Sequence, residues 1–188
     1  MSVSEYLKRP NLARYPFVFI VTFGRSGSTL LQGILNSIPG YCMRGENEGT
    51  LLHLFIAADK IAVTSKKGRE KTDPTDPHFG ADLLEPAAFG QRLADIFLSS
   101  CLQPPEGTRC IGFKEVRHTP RYIPDRFFPS YLDFMQAVFP GAGLIFNIRK
   151  VNETLNSGWW AAGEREGSRV ELDATIERFT SYAAARSN

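Results

Sequence analysis

At 188 residues, with 43% hydrophobic residues including 14 Phe, the chain has the material for one well-buried domain, is short for two, and is too apolar for global disorder. A formal net charge of +2 excludes nucleic-acid binding through bulk charge, so basic residues matter by position. Cys42, Cys101 and Cys110 have no metal-ligand spacing and their odd number gives no disulfide framework, which favours a reducing compartment. The first sixteen residues have no apolar signal core, and the longest apolar run is too short to cross a bilayer. The expectation is a cytoplasmic protein without membrane association.

Residues 17–23 read as a buried strand, and the loop Gly24-Arg25-Ser26-Gly27-Ser28-Thr29 follows at once. Leu30, Leu31, Ile34 and Leu35 then take helical spacing. A strand, a tight loop and a helix start make an anion cradle, because the first N–H groups of a helix are unpaired and carry partial positive charge. Arg25 and the hydroxyls of Ser26, Ser28 and Thr29 add donors, and Gly27 lets the backbone curl around a ligand. The pattern GxxxxGK[ST] of ATP and GTP loops asks for Lys where this chain has Gly27.

Helical patterns follow at Leu51, Leu52, Phe55, Ala58, Ile61 and Ala62, and at Phe89, Leu93, Ile96 and Phe97 behind an N1 proline, Pro86. Between them, residues 65–80 are polar, carry two Asp-Pro pairs and read as an exposed, mobile loop. Residues 110–116 and 143–148 read as two more buried strands, with an amphipathic helix at Tyr131, Leu132, Met135, Val138 and Phe139 between them. A final helix at Leu172, Ile176, Phe179 and Tyr182 is preceded by a candidate capping box, Ser168 with Glu171. The alternation implies an α/β fold, three-layer α/β/α around a central parallel sheet. Residues 1–188 read as a single domain. A helix in last place ordinarily leads back to a further strand, so the domain reads as truncated at its C-terminus.

Three further constellations carry chemistry. Lys114 lies inside a strand that should be buried on both faces, so it needs an anionic partner or a functional reason. Arg149 ends the third strand, at the carboxyl edge of the sheet, with Ser157 eight positions on; the pair suits one phosphate, whereas pairing with Glu153 is the plainer alternative. Glu46 and Glu48 follow the first helix, and either they or His118 could supply a base; a first-turn carboxylate complementing a helix dipole is the alternative. Trp159 and Trp160 read as packing residues.

The RSGST loop opening a helix resembles the 5′-phosphosulfate-binding loop of the sulfotransferases that use 3′-phosphoadenosine 5′-phosphosulfate (PAPS). Arg149 followed by Ser157 is similar to the 3′-phosphate-binding element of the same family. The Gly45-Glu46 pair and Gly112-Phe113-Lys114-Glu115 resemble bacterial and tyrosylprotein sulfotransferases, the branch with Arg in the loop and Glu as base. The resemblance implies a P-loop-like fold and sulfuryl transfer from PAPS to a hydroxyl or amine, with adenosine 3′,5′-bisphosphate as product and no metal. It implies Arg25, Ser26, Gly27, Ser28, Thr29, Arg149 and Ser157 as donor-binding residues. Glu46 is the implied base, with Arg25 and Lys114 opposing charge on the transferring group. The acceptor could be a small molecule, a carbohydrate or a peptide. A P-loop nucleotide kinase and a non-catalytic nucleotide-binding module are the competing readings.

Overall fold

The computed structural model describes residues 15–186. They fall into two compact units, Thr50–Gln103 and a larger one containing residues 15–49 and 104–186. The larger unit holds a four-stranded, all-parallel sheet. Its strands are β1 (Phe17–Thr22), β2 (Tyr41–Arg44), β3 (Cys110–Glu115) and β4 (Gly143–Asn147), in the order β2-β3-β1-β4. Helix α1 (Ser28–Asn36) leaves β1 through the glycine-rich loop. Helices α2 (Thr50–Lys67) and α3 (Pro86–Phe97) make the smaller unit. Then come α4 (Phe128–Val138), the short α5 (Val151–Leu155) and α6 (Trp159–Ala162), and α7 (Arg165–Ala184).

The two central strands are where continuous apolar sequence fell. Every residue of β3 is buried, as is all of β1 except Val18. Side chains alternate across a strand, and one face of the sheet is paved with rings. Phe19 packs 4.9 Å from Phe113 and 5.2 Å from Phe139 at the end of α4, while Phe146 of β4 lies 5.3 Å from Phe179 of α7. Tyr131, Leu132, Met135 and Phe139 are all buried, so the apolar stripe of α4 is core. Lys114 pairs in register with Ile20, and Glu115 with Val21, so the two charged side chains of β3 leave opposite faces.

Four expectations need correction. Strand β2 has no apolar run of its own; its four residues, Tyr-Cys-Met-Arg, are held by pairing with β3 from Tyr41↔Cys110 to Arg44↔Phe113. Strand β4 is a sheet edge and only half-buried rather than enclosed. The stretch 65–80 starts inside α2, and its remainder is tied in turns, with Asp73 and Asp76 accepting the N–H groups of Thr75 at 2.9 Å and His78 at 2.8 Å. The capping box at Ser168 does not form. Helix α7 starts earlier, capped by the Glu164 carboxylate, which accepts the N–H groups of Glu166 and Gly167.

Because all four strands are parallel, their carboxyl ends meet along one edge. The glycine-rich loop follows β1, Glu46 follows β2, Val116 and Arg117 follow β3, and Arg149 follows β4. Ligands of open α/β sheets bind at this edge.

Candidate active site

The loop after β1 bends through left-handed residues at Arg25 (φ 66°) and Gly27 (φ 87°), and α1 begins at Ser28 without a side-chain cap. The Ser28–Thr29 start of the helix therefore meets its surroundings as an uncapped N-terminus. A hydrogen-bonded cluster fixes the loop from behind. The Thr22 hydroxyl donates to the Asn147 carbonyl at 2.6 Å and lies 2.7 Å from the Ser26 hydroxyl, and the Asn147 amide donates to the Ser26 hydroxyl at 2.9 Å. Ser26 is buried, and its hydroxyl serves the loop's support. Thr22 and Asn147 were missed in the sequence, where an isolated polar residue at a strand end has no distinguishing pattern.

In front of the loop lies a cavity of about 290 Å³. Arg25, Gly27, Ser28, Thr29, Glu46, Lys114, Arg149 and Ser157 all line it, so the donor-binding candidates other than Ser26 meet there with Glu46 and Lys114. The Lys114 ammonium, with its side chain 6% exposed, contacts the Glu46 carboxylate, which also lies 3.5 Å from the Arg117 guanidinium. Arg25 Nε donates to the Ser157 hydroxyl at 3.0 Å. Arg149 donates to the Arg25 carbonyl at 3.3 Å and pairs with Glu153 at 3.2 Å, so it takes the plainer partner and faces the cavity as well. Three cationic side chains, Arg25, Lys114 and Arg149, thus share the cavity wall with one carboxylate, Glu46.

The two other base candidates lie elsewhere. Glu48 is largely exposed and paired with Arg117. His118 is 1% exposed and does not line the cavity; its Nδ1 lies 2.9 Å from the Glu115 carbonyl oxygen and 3.3 Å from the Thr22 nitrogen, and its ring lies 6.0 Å from that of Tyr131. Burial pushes its pKa down to about 4, against the pull of nearby Glu115. Burial also works against ionisation of Glu115, but the Gly49 N–H at 2.9 Å, the Arg117 guanidinium and the Val116 N–H hold its carboxyl below the usual range.

His118 gives the fold a pH dependence with a definite sign. Its folded pKa is depressed, so protons favour the unfolded chain. Stability is complete above the unfolded value near 6.5 and falls as pH drops toward 4, by on the order of 3 kcal/mol. Glu115, also depressed, loses its contribution only below the ordinary carboxylate range, so the window between pH 6.5 and 4.5 belongs to the histidine. Thermal melts across that window should slope downward for the parent and be nearly flat for His118→Gln; parallel slopes would contradict the assignment.

Trp160 is buried and donates its indole N–H to the Gly24 carbonyl at 2.9 Å, while Trp159 is 59% exposed and lines the cavity. The loop, the lysine strand and the Arg149–Ser157 element all fall within residues 16–186, which match the model of the sulfotransferase family. The chain belongs to the sulfotransferase family. Among curated proteins there is no match. This sulfotransferase is accordingly a transferase of sulfuryl groups built on a P-loop-like α/β sheet flanked by helices. Among the described residues, no helix of the sulfotransferase is long and apolar enough to cross a membrane.

Proposed function

We propose that this sulfotransferase takes its sulfuryl group from PAPS, bound in the cavity before the glycine-rich loop, and delivers it to an acceptor hydroxyl. The strongest support is the convergence of an uncapped helix start with Arg25, Lys114 and Arg149 around one cavity. The donor set fits: a nucleotide with phosphates at two positions needs two groups of anion-binding residues, and the cavity lining includes Ser28 and Thr29 at the helix start as well as Arg149 and Ser157 from the segment after β4. Bound PAPS supplies an activated sulfuryl group on its 5′-phosphate.

The protein's own part is positioning and charge. Ser28, Thr29 and the loop amides hold the 5′-phosphate, and Arg149 and Ser157 the 3′-phosphate. Arg25 and Lys114 oppose the negative charge that builds on the leaving and equatorial oxygens, as in phosphoryl transfer. Glu46 takes the acceptor proton. Its contact with Lys114 keeps the carboxylate at the cavity beside the ammonium that faces the donor.

Arg149→Ala should weaken adenosine 3′,5′-bisphosphate binding by roughly 2 kcal/mol, about 30-fold, through loss of charge-assisted hydrogen bonds. The side chain is 38% exposed, so the fold should survive. Ser157→Ala should act in the same direction but less. Calorimetric titration checks both, and an Arg149→Ala variant that binds as tightly as the parent would remove the 3′-phosphate assignment.

A further inference from the structure

A second cavity, of about 310 Å³, lies beside the first within the larger unit, and the two share Gly24, Val116 and Trp159 as wall. The partition depends on glycine. A Cβ on Gly24 would stand 2.0 Å from the Trp159 ring, so only a residue without one lets the indole lie against the loop while Trp160 holds the Gly24 carbonyl. Thr119 and Tyr122 also line it, with Glu164, Ser168 and Glu171 from the start of α7.

We infer that this second cavity seats the acceptor and that the acceptor is a neutral, polyhydroxylated one, a short saccharide; the inference rests on the donor site proposed above. An acceptor oxygen must reach the sulfuryl group in line with its leaving phosphate, so its site must adjoin the donor cavity and share a wall with it. The lining then selects the class. Trp159 leaves 59% of its surface open, offering a flat apolar face that suits the C–H face of a sugar ring, and Tyr122, with the Arg117 and Arg121 guanidiniums each 5.8 Å from its ring, adds polar groups to the lining. The lining also carries oxygen acceptors: Glu171 takes the Thr119 hydroxyl and Glu164 two backbone N–H groups, and a carboxylate has lone pairs beyond these.

A flat phenol would cover those carboxylates without giving enough donors in return, which costs free energy. An ammonium would pair with those carboxylates but must lose its proton, and with it that attraction, before its nitrogen can attack sulfur. Sugar hydroxyls satisfy the carboxylates without adding charge. In the transfer, the acceptor oxygen forms a new bond to sulfur and the bond from sulfur to the 5′-phosphate oxygen breaks. The electron pair leaves on adenosine 3′,5′-bisphosphate, and the hydroxyl proton passes to Glu46.

The test incubates the whole chain and radiolabelled PAPS with cellobiose, N,N′-diacetylchitobiose, 4-nitrophenol, an acidic tyrosine peptide and hexylamine, with adenosine 3′,5′-bisphosphate binding measured in parallel. Label should enter the disaccharides and not the others. Ser168→Phe, which fills the cavity from α7 and leaves the donor cavity alone, should cut sugar transfer by ~20-fold or more with bisphosphate affinity kept within about twofold. Tyr122→Ala, at an exposed position of the same lining, should raise the sugar KM roughly fivefold with a smaller effect on kcat.

Label in the phenol, peptide or amine but not in sugars, or in nothing while the bisphosphate binds, overturns the saccharide class. Sugar transfer unaffected by both variants overturns the cavity. If the bisphosphate does not bind at all, the donor site itself is wrong, and the inference falls with it.

Discussion

Glu46→Gln is expected to lower turnover by roughly 10²- to 10⁴-fold, the range for removal of a positioned base, while leaving adenosine 3′,5′-bisphosphate affinity nearly unchanged. Gln keeps the volume and the reach to Lys114 but is a far weaker proton acceptor. The two rivals supply the controls. Glu48, exposed and paired with Arg117, and His118, buried beside Tyr131 and away from the cavity, should tolerate Glu48→Gln and His118→Asn with modest loss at neutral pH. Steady-state kinetics of the three variants, with bisphosphate titrations beside them, decides the matter. Turnover retained by Glu46→Gln and lost in either rival would move the base to that rival.

Gly112→Ala is expected to be strongly destabilising. A Cβ at that position would stand 1.6 Å from the carbonyl oxygen of Val18, its register partner on β1, and 2.7 Å from that carbonyl's carbon. Backbone atoms in the centre of a sheet cannot step aside as a side-chain tip can, so β1 and β3 would have to separate. A cost of about 4 kcal/mol or more follows, a large part of the stability of a domain this size. The site would go with it, since Lys114 stands two residues further along the same strand. Circular dichroism and thermal melting would measure this, and a variant melting within a few degrees of the parent would mean the two strands are not paired in this register.

Much of the larger unit could be read from the residues because its signals are local. A buried parallel strand needs a continuous apolar run, and residues 17–23, 110–116 and 143–148 supply three of the four, each within a residue or so of the observed end. The fourth, β2, exists through its partner: nothing in Tyr-Cys-Met-Arg demands a strand until the edge of β3 is there to pair with it. The start of helix α7 differs from its sequence pattern for a similar reason. Ser168 and Glu171 have the spacing of a capping box, but Glu164 reaches the first free N–H groups before them, and Glu171 turns to Thr119 instead.

The cavity was legible wherever chemistry and position coincide. Lys114 is conspicuous because an ammonium inside a buried strand demands an explanation, and Arg149 because it ends a strand at the edge where ligands bind. Ser26 illustrates the limit. Its place in the loop is indistinguishable by sequence from that of Ser28, yet Thr22 and Asn147 take its hydroxyl for the loop's own support. Such choices depend on which polar groups distant segments bring near, and no local pattern encodes them. Trp159 is similar: an indole at the wall between two cavities has the same sequence signature as one in a core.

Whether the cavity between the glycine-rich loop and Arg149 binds PAPS is decided by calorimetric titration of the whole chain with adenosine 3′,5′-bisphosphate in magnesium-free buffer, beside the same titration with Mg·ATP. Saturable binding of the bisphosphate without magnesium is expected, with much weaker binding of Mg·ATP, because Lys114 and Arg149 supply the countercharge that a metal would otherwise bring. Binding of Mg·ATP alone, with none of the bisphosphate, would contradict the PAPS assignment.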